Sequence, residues 1–204
     1  MAALLLALLL AAPVEVERVL ALVGATPVLA SDAELAELAG LVPREAGEDD
    51  AAYRSAVVDA LIALELRWQD LNSTGLRSRV QVDLDAAWSA VAARAGGADE
   101  LRARLAATGL DEAELRGLVE RAAIVQAYAL NRFAPFARPT EGEVETLYRR
   151  ELAPELERAG RPVPPLAEVS AHIETLVRER KLNAEVERWT AELAARTQVQ
   201  RYVP

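Results

Sequence analysis

The chain reads as a mainly α-helical domain carrying a small antiparallel sheet made from its two ends. Three observations predict this. Residues 19–29, VLALVGATPVL, pair two β-prone runs across Gly24-Ala25, and Pro27 suits the second run to a sheet edge. Most of the interval from 32 to 196 shows apolar residues at helical spacing, punctuated by capping residues and glycine stops. The one other strand-like segment, 197–203 (TQVQRYV), lies at the far end. A lone hairpin of this size is marginal in water and needs a third strand or a packed helix. The terminal segment is therefore expected to return and pair with the hairpin.

The elements follow in order. Ser31 with Glu34 has the spacing of a capping box and opens a helix over 32–41. Pro43 and the acidic run 45–50 form a polar loop. A long helix then continues to Leu71, with Val57, Leu61, Leu64, Trp68 and Leu71 on one face and Val58, Ile62 and Leu66 beside them. So wide a stripe predicts a central helix. Asn72-Ser73-Thr74-Gly75 ends it. Asp83 caps a helix to Ala95 that carries Trp88 and Val91, and a further helix over 99–108 stops at Gly109. Asp111 and Glu114 open a helix to Arg132 whose stretch 122–130 is almost wholly apolar, which predicts burial on all sides. Residues 133–139 are a proline-punctuated connector, and Thr140 with Glu143 forms a third capping box for a helix to Leu152. Residues 160–165 break the chain. The final helix, 166–196, changes phase: Leu166, Val169, Ile173 and Leu176 form one stripe, Leu182, Val186, Trp189 and Leu193 another. Its two halves should meet different surfaces, or the helix should bend between them, at 178–181.

Composition narrows the function classes. The 204 residues are 52% hydrophobic, enough for one sizeable core. Residues 1–12 are uninterrupted apolar sequence, about half the roughly 20 residues a membrane helix needs, and they resemble the apolar region of a secretory signal ending near Pro13. The expected location is then the periplasm or the exterior, with no membrane insertion after removal of the leader. Cysteine is absent, so disulfides, thiol nucleophiles and thiolate metal sites are excluded. Net charge is -9, and the arginines are interleaved with glutamates, which disfavours nucleic acid as a partner.

Catalytic equipment is sparse. The single histidine, His172, sits beside the buried stripe of the last helix as a boundary residue without a partner at useful spacing. Ser31 and Ser73 read as helix-end residues rather than nucleophiles. Glu48-Asp49-Asp50 lacks the alternating oxygen ligands of a calcium loop and reads as a solvated acidic turn. A carboxylate pair for glycosidic chemistry stays open, because separations are not legible in sequence. No catalytic, cofactor-binding or metal-binding residues are assigned. Four aromatic residues remain as client-binding candidates: Phe133, Phe136, Tyr128 and Trp88. The two phenylalanines, in a loop, either plug the core or line an apolar groove for extended peptide; Tyr128 and Trp88, on helices, lean toward core.

Five segments, taken in order, resemble the SurA-like periplasmic chaperones and their parvulin-type isomerase relatives. They are RVLALVGATPVLASDAEL at 18–35, DALIALELRWQ at 59–69, VQVDLDAAW at 80–88, PTEGEVETLYR at 139–149 and PPLAEVSAHIETLVRERKLNAEVERWTAEL at 164–193. The fourth is similar to the segment that leads into the family's catalytic domain, the fifth to the helix that follows it. Between Tyr148 and Leu166 there is no room for such a domain, which needs at least ~50 residues. The resemblance thus implies a chaperone core without its isomerase: a leader at 1–13, an N-terminal domain at 14–152, a proline-rich connector at 153–165, and a helix and strand at 166–204 completing the same domain. The implied function is ATP-independent, cofactor-free holding of non-native secreted or outer-membrane polypeptides. The alternatives are a non-catalytic assembly subunit docking on one folded envelope protein, and an isomerase with an unrecognised site.

Overall fold

Residues 17–202 are described by a computed structural model of the chain. The apolar leader at 1–13 lies outside the described residues, as does Val203. β1 (Val19–Val23) and β2 (Thr26–Leu29) form the expected hairpin, with Gly24 at φ 61° in the turn. β3 (Val199–Arg201) pairs antiparallel with the other edge of β1, giving the order β2-β1-β3. The register sets Ala21 opposite Arg201 and Val23 opposite Val199, and Gly24 N–H and Tyr202 N–H extend the ladder to Gln198 and Leu20 carbonyls. Pro27 stands on an edge strand, where its missing donor costs no ladder bond.

The helices are α1 (Ala30–Ala39), α2 (Asp50–Ser73), α3 (Leu84–Ala95), α4 (Ala98–Thr108), α5 (Glu112–Phe133), α6 (Glu141–Leu147), α7 (Ala153–Arg158) and α8 (Leu166–Arg196). α1 starts earlier than the sequence predicts, and Ser31 does not cap it. Asp32 accepts from Leu29 N–H at 2.9 Å, while Ser31 N–H turns to Glu17 at 3.2 Å. Strand β2 runs directly into the helix, so the first turn forms before Ser31 is reached. Asp49 and Asp83 cap α2 and α3, and the Asp111 half of the predicted box caps α5 through Ala113 N–H. The acidic loop is thereby accounted for: Asp49 serves the helix and Asp50 pairs with Arg44.

α2 is the central helix, touching β1, β2, α1, α5 and α8. Gln69 fastens the hairpin to it, donating to Val23 O at 3.1 Å, Thr26 Oγ1 at 3.1 Å and Glu65 Oε1 at 2.8 Å. Glu65, the buried acid of the core, has its other oxygen 3.7 Å from Arg121. From β3, Arg201 reaches Asp59 and Ser55 on the same helix.

Two stretches depart from expectation. The helix predicted to end at Leu152 continues: after α6 a wide π-turn over Tyr148–Leu152 carries the chain into α7, with Ala153 N–H bonded to Tyr148 O. A proline inside a regular α-turn would clash with the carbonyl four residues back; the wider turn admits Pro154. The apolar stretch 122–130 is also not buried on all sides. Ile124, Val125 and Ala129 are buried, but Gln126 is exposed and Leu130 is 43% exposed.

α8 has two packing partners, as its phase change predicts. Ile173 and Val177 close a small cluster with Val144 and Leu147 of α6, whereas Trp189 and Leu193 enter the main core. Lys181 sits at the changeover and donates to Arg138 O at 2.9 Å and to Glu143 at 2.9 and 3.0 Å. The Thr140–Glu143 capping box forms as expected. The Lys181 ammonium, then Thr140 N–H and hydroxyl, lower the Glu143 carboxyl from 4.5 to about 2. Because the folded value lies below the unfolded one, this stabilisation is fully present above pH 4.5 and fades as pH falls toward 2. Urea midpoints of the wild type and Glu143→Gln should therefore differ at neutral pH and converge between pH 4.5 and 2. A gap that stays constant down to pH 2 counts against the pairing.

Candidate functional site

The structure separates the four aromatic candidates. Phe133 ends α5 and is buried, its ring centroid 5.8 Å from that of Trp189. Tyr128, five residues earlier, meets Trp189 with ring centroids 5.4 Å apart and the rings tilted by 51°, and its hydroxyl accepts from Arg132 at 3.1 Å. Both belong to the core. Trp88 is partly buried on α3 under the Arg116 guanidinium, 3.9 Å above its ring. Arg116 lies twelve residues before Tyr128 on α5, about 18 Å along the helix, so Trp88 is not part of the same cluster. Phe136 alone faces solvent, at 71% exposure, in the turn just past α5. The two connector phenylalanines thus divide between the two readings: Phe133 plugs the core and Phe136 is surface. His172 is exposed rather than at the boundary of the stripe.

The surface that the aromatic candidates did not predict is a cleft of about 520 Å³ where α2, α5 and α8 converge. Ala60 and Leu64 of α2, Val125 and Ala129 of α5, and Leu182 and Val186 of α8 give it an aliphatic lining. Leu41, after α1, and the exposed Leu130 stand at its edge, and the amides of Gln126 and Asn183 are exposed beside it. The cleft exists because α8 changes surfaces. Up to Val177 the helix is committed to α6, and its contact with the main core is complete only at Trp189. Leu182 and Val186 lie between those two commitments and are only partly covered. The apolar stretch 122–130, read as burial, instead contributes Ala122, Val125, Ala129 and Leu130 to the lining of this cleft.

Arg67 also lines the cleft. Its Nε is wholly enclosed and has no hydrogen-bond partner among the described residues. Burial pulls the guanidinium below the usual arginine range. A second depression, about 390 Å³ around Trp68, differs in kind. There Asp32 is bound to Leu29 N–H, Arg77 lies 3.1 Å from Glu120 and 4.6 Å from the Trp68 ring, and Arg121 faces Glu65. Most of its charges are paired internally; Glu114, also in the lining, is exposed and has no partner among the described residues. Among the described residues no three acidic or histidine side chains converge to hold a metal ion, and no helix is long and apolar enough to cross a membrane.

Compared with known families and curated proteins, the chain matches no family model and no curated protein. The cleft is legible in sequence only after the fact. Leu182 and Val186 open the second stripe of the last helix, and Arg67 is a cation three residues on from Leu64 within the widest apolar stripe of the chain.

The division between the phenylalanines is directly measurable. Phe133→Ala should cost about 3–5 kcal/mol in urea denaturation, and Phe136→Ala should change stability by less than about 0.5 kcal/mol. Equal losses from both would contradict this placement.

Proposed function

We propose that the protein is an ATP-independent holder of non-native polypeptides in the cell envelope, a chaperone core of the SurA-like kind without an isomerase domain. The observation that carries this reading is the open aliphatic cleft on the three central helices, with Leu130 exposed at its edge. Aliphatic walls without paired charges reward burial of almost any apolar side chain at roughly 25 cal/mol per Å² and impose little directional demand. Binding of that kind is weak and tolerant of sequence, which leaves a client able to depart and fold. Peptide enters such sites through alternate side chains in pockets, with its backbone met by polar groups at the rim. The exposed amides of Gln126 and Asn183 suit that role, each offering both a donor and an acceptor. Net charge of -9 keeps copies of the protein apart while apolar surface is exposed, and it repels strongly acidic clients. The five-segment resemblance points the same way, as does the apolar leader.

An outer-membrane β-barrel protein diluted from urea is the direct test. Its light scattering should fall when the full chain is present at severalfold molar excess. Leu130→Gln should lower that protection while leaving thermal melting unchanged, since its side chain is already half in water. Absence of any suppression at that excess overturns the reading. Stoichiometric copurification with one folded protein, without suppression, would assign the chain to assembly of that partner instead.

A further inference from the structure

Arg67 is anomalous in its surroundings. Glu65, two residues earlier, is buried but satisfied by Gln69 and Arg121. Arg67 lines the aliphatic cleft, partly buried, with Nε enclosed and without a hydrogen-bond partner and with no ion pair to its guanidinium among the described residues. A desolvated polar group without a partner is a standing cost, larger when the group is charged. Arginine keeps its charge under nearly all conditions, so protonation chemistry does not relieve that cost. Its planar fork matches a carboxylate in two parallel hydrogen bonds, stronger in a dry site than at a solvated surface.

We propose that the cleft selects polypeptide segments carrying one acidic side chain within an apolar run, with that carboxylate seated on Arg67. The inference rests on the client-holding reading and specifies the client. The exposed amides of Gln126 and Asn183 favour a polypeptide over an acyl chain, because a peptide backbone can use both their donors and acceptors. Gln126 and Asn183 line the same cleft as Arg67, so a backbone met by those amides brings a side-chain carboxylate, rather than a chain terminus, to the guanidinium. The overall charge of -9 sets the limit on number: one acid is drawn by the local cation, several are repelled by the whole molecule.

The test uses the full chain and three fluorescein-labelled peptides of one apolar sequence, read by anisotropy. One has a central Glu and an amidated terminus, one a central Gln and an amidated terminus, and one a central Gln and a free terminus. The Glu peptide should bind wild type about tenfold more tightly than the amidated Gln peptide, the scale of one charge-assisted bond. Arg67→Met should remove that preference without lowering the melting temperature, because no internal partner is lost and an unpartnered polar group is removed; Arg67→Lys should retain part of the preference. Equal binding of the Glu and Gln peptides, or a preference that survives in Arg67→Met, overturns the role of Arg67 and leaves client holding intact. A gain confined to the free-terminus peptide, or displacement of the Glu peptide by dodecanoate more readily than by unlabelled peptide, also overturns it. Failure of all three peptides to bind wild type removes the client-holding reading itself.

Discussion

Trp189 is the contact on which the rest of the architecture depends. Its ring lies against Tyr128 and Phe133 of α5, and its indole N–H donates to Asp70 of α2 at 3.1 Å. The other oxygen of Asp70 takes Arg196 at 2.7 Å, so the last turns of α8 are fixed to α2 at two points. This matters because β3 begins three residues after α8 ends. With the helix held in place, Val199 to Arg201 arrive opposite Val23 to Ala21 in the correct register, and the hairpin gains the third strand it needs. An error of one residue would turn every strand side chain to the wrong face. Pairing between segments nearly 180 residues apart carries a large loop-closure cost, and the packed indole together with a half-buried, doubly bonded carboxylate offsets it.

The price of using one long helix for two tasks is an uncovered interval. The first half of α8 completes a small cluster with α6, while the second half completes the main core. A continuous helix rotates its faces at a fixed rate, so it cannot present an apolar stripe to both partners without an intermediate stretch that serves neither fully. Lys181, the chain's only lysine, holds that changeover to the connector and to Glu143. Immediately after it, Leu182 and Val186 face the cleft. The candidate binding surface is in this sense a by-product of how the two clusters are joined, and it needs no loop or hinge of its own.

The chemistry of that surface follows from what it lacks as much as from what it contains. Most charged groups around Trp68 meet a partner, and the one left over, the exposed Glu114, is an acid, so that depression offers no free cation to a carboxylate. Among the described residues the cleft's single cation meets no anion, and apart from the Gln126 and Asn183 amides the remaining lining is aliphatic. Broad affinity for apolar chains and a narrow demand for one carboxylate can coexist there, because the first arises from area and the second from a directed bond.

The hairpin, the terminal strand, the central position of α2, the caps at Asp83 and Thr140 and the phase change in α8 were all legible in the sequence. Each depends on local spacing: apolar periodicity, capping chemistry, and turn residues. The start of α1, the continuation of the sixth helix through Pro154, the separation of Phe133 from Phe136 and the half-exposed flank of 122–130 were decided by tertiary packing. The first follows from β2 running straight into α1 and the second from the π-turn before Pro154, while the last two share one reason. A periodic pattern tells which residues avoid water but not how much of a helix its neighbours can cover, and coverage around α5 and α8 depends on where Trp189 seats a helix that starts more than thirty residues beyond the end of α5. The cleft and its lone guanidinium arise from that geometry, and no local pattern encodes it.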